Sequence, residues 1–116
     1  MAQHITTGIT GEELASRFLK QAGYTVVEKN YRYKKAEIDI IAKKDNLLVF
    51  VEVKTRRSKS FGEPEEAVNQ SKINLILSAA ENFIEVTEWK YDIRFDVIAV
   101  HYTHPVEIVH FQDAFH

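Results

Sequence analysis

The sequence predicts an α/β domain in which a mixed central β-sheet is flanked by α-helices, in the order αβββαββ. Three observations carry this expectation. Residues 10–22 and 71–86 repeat apolar side chains at helical spacing. Five other stretches are rich in β-branched and aromatic residues and are bounded by turn-forming ones. The third observation is size. The 116 residues are 45% hydrophobic, with seven Phe and five Tyr. They make one domain, residues 1–116, that buries roughly two thirds of its unfolded surface.

The first helix begins at Thr10, which stands in capping-box spacing to Glu13. Leu14, Ala15, Phe18, Leu19 and Ala22 form its apolar stripe, and Gly23 ends it. Glu12 lies in the first turn, where the helix dipole alone favours a carboxylate. A first strand follows over residues 24–28. Residues 30–35 interleave tyrosines with basic side chains. That pattern suits a nucleic-acid backbone through ion pairing and stacking, and equally an edge strand protected by lysines.

Residues 36–57 are the centre of the chain: Ala-Glu-Ile-Asp-Ile-Ile-Ala, a polar break, then Leu-Leu-Val-Phe-Val-Glu-Val-Lys-Thr-Arg-Arg. Asp45-Asn46 suits a two-residue hairpin loop, because both tolerate left-handed backbone. Lys44 then pairs with Leu47, and counting outward puts Asp39 opposite Glu52 and Glu37 opposite Lys54. Strand alternation places Glu37 with Asp39 on one face and Glu52 with Lys54 on one face. Residues 58–64 read as a polar loop, with Pro64 opening a short helical segment. The longest helix, 71–86, carries Ile73, Ile76, Leu77, Ala80, Phe83 and Ile84 on one stripe. Strands are expected over 91–102 and 106–111, separated by a turn at Thr103-His104.

Composition narrows the function. A net charge of −2 argues against a protein held to nucleic acid by bulk positive charge, while leaving local patches open. With no cysteine, disulfide frameworks, thiolate zinc sites and cysteine nucleophiles are excluded. No apolar run reaches the ~20 residues of a membrane span, and the N-terminus lacks a signal pattern, so a cytoplasmic protein is expected. His101 and His104 lie at strand and turn positions, where their spacing does not make a metal pair. They read as structural or surface residues.

Glu37, Asp39, Glu52 and Lys54 interrupt otherwise apolar strands, and two explanations compete. They can face water on an antiparallel hairpin, laced by cross-strand pairs of roughly 0.2–1 kcal/mol each. Against this, Ile41 and Phe50 share faces with Asp39 and Glu52. Two ionised carboxylates ~4 Å apart repel by roughly 4 kcal/mol at an effective dielectric near 20. A divalent cation relieves that repulsion, and hard oxygen ligands suit Mg2+ or Mn2+. Lys54 would then orient a water or neutralise a phosphate.

The set Glu-Ile-Asp-Ile-Ile-Ala, a turn, and Val-Phe-Val-Glu-Val-Lys-Thr-Arg resembles the core of the PD-(D/E)XK nuclease superfamily, which is restriction endonuclease-like and Holliday junction resolvase-like. More narrowly, the chain resembles the YraN-type bacterial family of endonucleases. The likeness includes Gly11-Glu12-x-x-Ala15, Gly23-Tyr24, Asn30-x-Arg32, Glu37-Ile38-Asp39, residues 50–54, Arg56, Phe61-Gly62, Lys72 and Arg94-Phe95-Asp96. One departure is Ala36, where the family pattern has Gly. The resemblance implies a restriction endonuclease-like fold and hydrolysis of phosphodiester bonds in nucleic acid, DNA first, in branched or repair intermediates. It implies Asp39 and Glu52 as Mg2+ or Mn2+ ligands, Lys54 as the catalytic lysine, and Glu12 as a further ligand or water-positioning group. Arg32, Arg56 and Lys72 are candidate phosphate contacts, and a homodimer would suit a substrate with two symmetric strands. The rival expectation is a non-catalytic nucleic-acid-binding or adaptor protein that keeps the fold. A third is a structural domain with a merely solvated hairpin.

Overall fold

Thr10 opens the first helix, α1 (Gly11–Gln21), by accepting the Glu13 N–H on its hydroxyl at 3.1 Å. Only this half of the expected capping box forms. The Glu13 carboxylate instead accepts from Arg17 Nε at 3.2 Å and Lys29 Nζ at 3.1 Å, tying α1 to the first strand. The computed structural model describes residues 9–56 and 69–115. The expected Pro64 segment, with Phe61-Gly62, lies outside them.

Five strands follow the predicted order: β1 (Thr25–Tyr33), β2 (Ala36–Lys44), β3 (Leu47–Arg56), β4 (Asp92–His101) and β5 (Glu107–Phe111), with α2 (Gln70–Thr87) between β3 and β4. They make one sheet in the spatial order β1-β2-β3-β4-β5. Only β3 and β4 are parallel, as the α2 crossover allows; the other neighbours are antiparallel. Thus the sheet is mixed, as the sequence predicts. β1 runs on through the basic-aromatic stretch to Tyr33, beyond its expected end at residue 28. Pairing with β2 overrides the weak local signal there.

The sheet separates two apolar layers. Ala15 and Leu19 of α1 pack with Ile40, Ala42, Val49, Val51, Ile98 and Val100. On the other face, Ile76, Ala79, Ala80 and Phe83 of α2 pack with Ile38, Ile41, Phe50, Phe95 and Val97. Small Ala79 and Ala80, both buried, let α2 lie close to the strands. Asn69 caps α2 by accepting the Lys72 N–H at 2.9 Å, and Glu88 ends it in the left-handed conformation.

The feature that positions the site is a fork in the sheet. The β2–β3 ladder follows the predicted register from Lys44↔Leu47 to Ile40↔Val51 and then stops. Beyond that point β2 stays paired with β1 as far as Tyr33↔Ala36, while β3 stays with β4 as far as Arg56↔His101. Each strand keeps its outer partner and they part from one another. The crotch is closed by a side chain: Asp39 Oδ2 accepts the Val53 N–H at 2.8 Å.

Alternation along β2 is interrupted at the same place. Ile38 packs in the α2 layer, whereas Ile40, two residues on, packs in the α1 layer. Opposite this break β1 carries Asn30 with a φ of 53°. Strict alternation therefore does not hold from Ile38 to Ile40, although Glu37 and Asp39 border the same groove. The expected Glu37–Lys54 pair also does not form, because the two residues lie on different arms of the fork.

Candidate active site

Between the arms lies an open groove of about 380 Å³, bordered by Glu37 and Asp39 on β2, Glu52 on β3, and Asn69 and Lys72 at the start of α2. Glu52 is 4% exposed and is not part of a solvated ribbon. Its Oε2 meets Lys72 Nζ at 2.5 Å and Lys54 Nζ at 3.4 Å. A buried carboxylate needs such compensation. Lys72, read from sequence as a candidate phosphate contact, thus stands at the centre of the cluster.

Among the described residues Asp39 has no comparable partner. Burial, then the negative charge of Glu52, push its carboxyl up from an ordinary 3.8 to about 7, against the Val53 N–H and Lys72, which favour the charged form. Glu12 adds a smaller push in the same direction, so its charge is felt at Asp39. Burial, reinforced by the like charge of Lys72, holds Lys54 below the ordinary lysine value. Burial also opposes the charged form of Lys72, but hydrogen bonding and charge from Glu52 outweigh it and hold that amine above the ordinary value.

Glu12 reaches the site because α1 approaches β3 closely. A Cβ on Gly11 would lie 2.3 Å from Thr55 Cγ2, so only glycine admits this approach. With its amide turned to satisfy its neighbours, Asn30 donates to Glu12 Oε1 at 3.0 Å and to Glu37 Oε2 at 3.3 Å. Asn30 belongs to the Asn30-x-Arg32 likeness, which assigns it no role, and the structure brings it to the site. An asparagine inside a β-branched stretch, prone to left-handed backbone, was the available signal. The remaining candidates lie further out. Arg32, 75% exposed, stands 3.7 Å from Glu37, and the Arg56 guanidinium donates to the Thr55 carbonyl at 3.0 Å.

Among the described residues no three His, Asp or Glu side chains stand grouped to enclose a metal. Mg2+, however, is commonly held by one or two carboxylates, with water and substrate phosphates completing its octahedron. Of the three carboxylates bordering the groove, Asp39 and Glu52 fit that donor requirement. Glu12 is held by Asn30, a placement that suits a supporting role beside the pair.

His101 is buried and His104 exposed, in keeping with structural and surface positions, and His110 bonds to Asp96.

The profile of a family described as "Uncharacterised protein family UPF0102" matches residues 11–100. A UPF0102 protein of Flavobacterium psychrophilum is 45% identical over 117 residues, covering 100% of this chain and 98% of its own length. One from Christiangramia forsetii is 43% identical, covering 99% and 98%. A UPF0102 protein of Clostridium perfringens is 48% identical over 96 residues, covering 82% and 79%.

Proposed function

This chain belongs to the uncharacterised protein family UPF0102, the YraN-type family its motifs resemble, and we propose that it is a Mg2+- or Mn2+-dependent nuclease with a restriction endonuclease-like core. The observation that carries the reading is the fork, which brings Asp39, Glu52 and Lys72 from three elements to one open groove, with Lys54 beside Glu52. The reaction is hydrolysis of a phosphodiester in nucleic acid, DNA first: a water oxygen bonds to phosphorus, a P–O ester bond breaks, and the leaving oxygen gains a proton.

Asp39 and Glu52 would hold the cation. When bound, it supplies a more acidic water and offsets charge on the phosphate. Lys54, beside Glu52 and holding its proton less tightly than an ordinary lysine, orients the attacking water or meets a phosphate oxygen. Glu12 adds negative charge behind Asp39, so that Asp39 is more strongly in need of a cation. Arg32 and Arg56, one on each arm, offer backbone phosphate contacts that position the strand without reading its sequence.

The test is calorimetric. Wild type binds Mn2+, Asp39→Asn and Glu52→Gln lose that binding, and both variants lose at least about a hundredfold in cleavage of labelled DNA, roughly 2.7 kcal/mol of transition-state stabilisation. No uptake of Mn2+ by wild type at millimolar concentration would overturn the metal-dependent reading.

A second reading rests on a specific contact. Because Lys72 already supplies positive charge to Glu52, the groove can also serve a non-catalytic nucleic-acid-binding or adaptor protein. Binding of DNA or RNA without cleavage in Mn2+ selects it.

A further inference from the structure

Lys72 lies in the first turn of α2, where a cation opposes the helix dipole, and no acidic residue in that turn offsets it. Its hold is Glu52, whose Oε2 it shares with Lys54. The two lysines differ in freedom: the Lys54 side chain is 17% exposed and that of Lys72 is 42% exposed at the groove. Lys72 makes the closer contact with Glu52, and its more exposed side chain is the one an arriving ligand can reach.

Resting on the metal-site reading above, we propose that Lys72 is an internal counter-ion, exchanged for the divalent cation when a phosphate backbone arrives to receive its ammonium. Lys54 and Lys72 offset two of the negative charges that Glu37, Asp39 and Glu52 bring to the site. A divalent cation that takes Glu52 displaces Lys72, whose ammonium then needs a new partner. A phosphodiester group of the arriving backbone supplies it. Metal and nucleic acid therefore raise each other's affinity, by the reciprocity that binds any two linked ligands. In the free protein, Lys72 keeps Glu52 compensated and the cation only loosely held. Lys72 is a positioning residue here, acting on metal uptake through Glu52.

The experiment is Mn2+ titration by calorimetry of wild type, Lys72→Met and Lys72→Arg, each with and without a phosphorothioate-linked DNA duplex. Lys72→Met keeps Lys54 on Glu52, so no buried carboxylate is orphaned, and a melting curve checks its fold. Without duplex, Lys72→Met binds Mn2+ about tenfold tighter than wild type, the loss of one charged hydrogen bond as competitor. Lys72→Arg stays near wild type, and the duplex raises wild-type affinity more than that of Lys72→Met. If wild type and Lys72→Met bind Mn2+ equally, or Lys72→Met more weakly, the exchange is overturned and the metal site stands. If none of the three binds Mn2+, both readings fall.

Discussion

Asp96 and Asp39 are both removed from water, yet the protein treats them oppositely. Asp96 lies on β4 beside Val51 of β3 and is fully buried. Its Oδ1 accepts from Arg94 Nε at 2.8 Å and the Asp113 N–H at 3.0 Å; Oδ2 meets Arg94 Nη2 at 2.8 Å and His110 Nε2 at 2.7 Å. Arg94 also donates to the Tyr24 hydroxyl at 2.7 Å, so the network joins β4 to β5 and to the end of α1. Burial opposes the charge on Asp96, but these donors outweigh it and hold its carboxyl below the ordinary value. Asp39 has its carboxyl pushed up. A satisfied acid is a structural rivet, whereas an under-compensated one at an open groove is poised for a ligand.

The largest expected effect tests the rivet. Asp96→Ala leaves Arg94 and His110 without their buried partner and costs about 3–5 kcal/mol in urea unfolding. A cost from Asp39→Ala as large as this would erase the distinction between the two acids. Next, Gly11→Ala forces α1 away from Thr55 and costs about 1–3 kcal/mol, as overpacking does. Thr55→Ser in the same chain recovers much of that loss, which melting curves of the pair and the singles would check.

The pH profile sharpens the comparison further, because the two acids have opposite signs. Asp39 is raised, so its contribution is fully present below 3.8 and is lost as pH rises through about 7. Asp96 is lowered, so its contribution is present above 3.8 and is lost as pH falls through its depressed value. Metal-free Asp39→Asn therefore matches wild type near pH 4 and exceeds it by on the order of 2 kcal/mol at pH 8. Parallel denaturation curves at the two values decide this; a constant offset would refute it. The smallest effect is at Arg32, whose exposed ion pair contributes little. Arg32→Ala changes stability by less than about 0.5 kcal/mol, while DNA affinity falls and its salt slope drops by about one.

Much of this was legible in local chemistry. The Asp45-Asn46 loop set the hairpin register through to Ile40↔Val51, and Asp45 has the left-handed φ, 55°, that such turns require. The apolar stripes of both helices and the order of the strands follow from periodicity alone. What stayed hidden depends on distant partners. Nothing near Glu37 or Lys54 announces that β1 and β4 pull the arms apart. Nor does the start of α2 reveal that Lys72 meets Glu52. Asp96 carried a family resemblance but no sign of His110, because that pairing is made only when β5 is laid beside β4. Whether Asp39 and Glu52 hold a metal is a matter of chemistry beyond either register or fold, and titration answers it.

The fork also sets where the chain can lengthen or shorten. Asp39 and Glu52 sit just beyond the last β2–β3 pair, so their placement is counted along two strands from one tight loop. Residues added at the Asp45-Asn46 tip extend the loop and leave that count untouched. A single deletion between Ile40 and Lys44, or between Leu47 and Val51, slips one strand by one step and turns its acid to the opposite face. Tolerance to insertion should thus be high at the tip and absent along the stem, and the same chain offers a natural attachment point far from its groove.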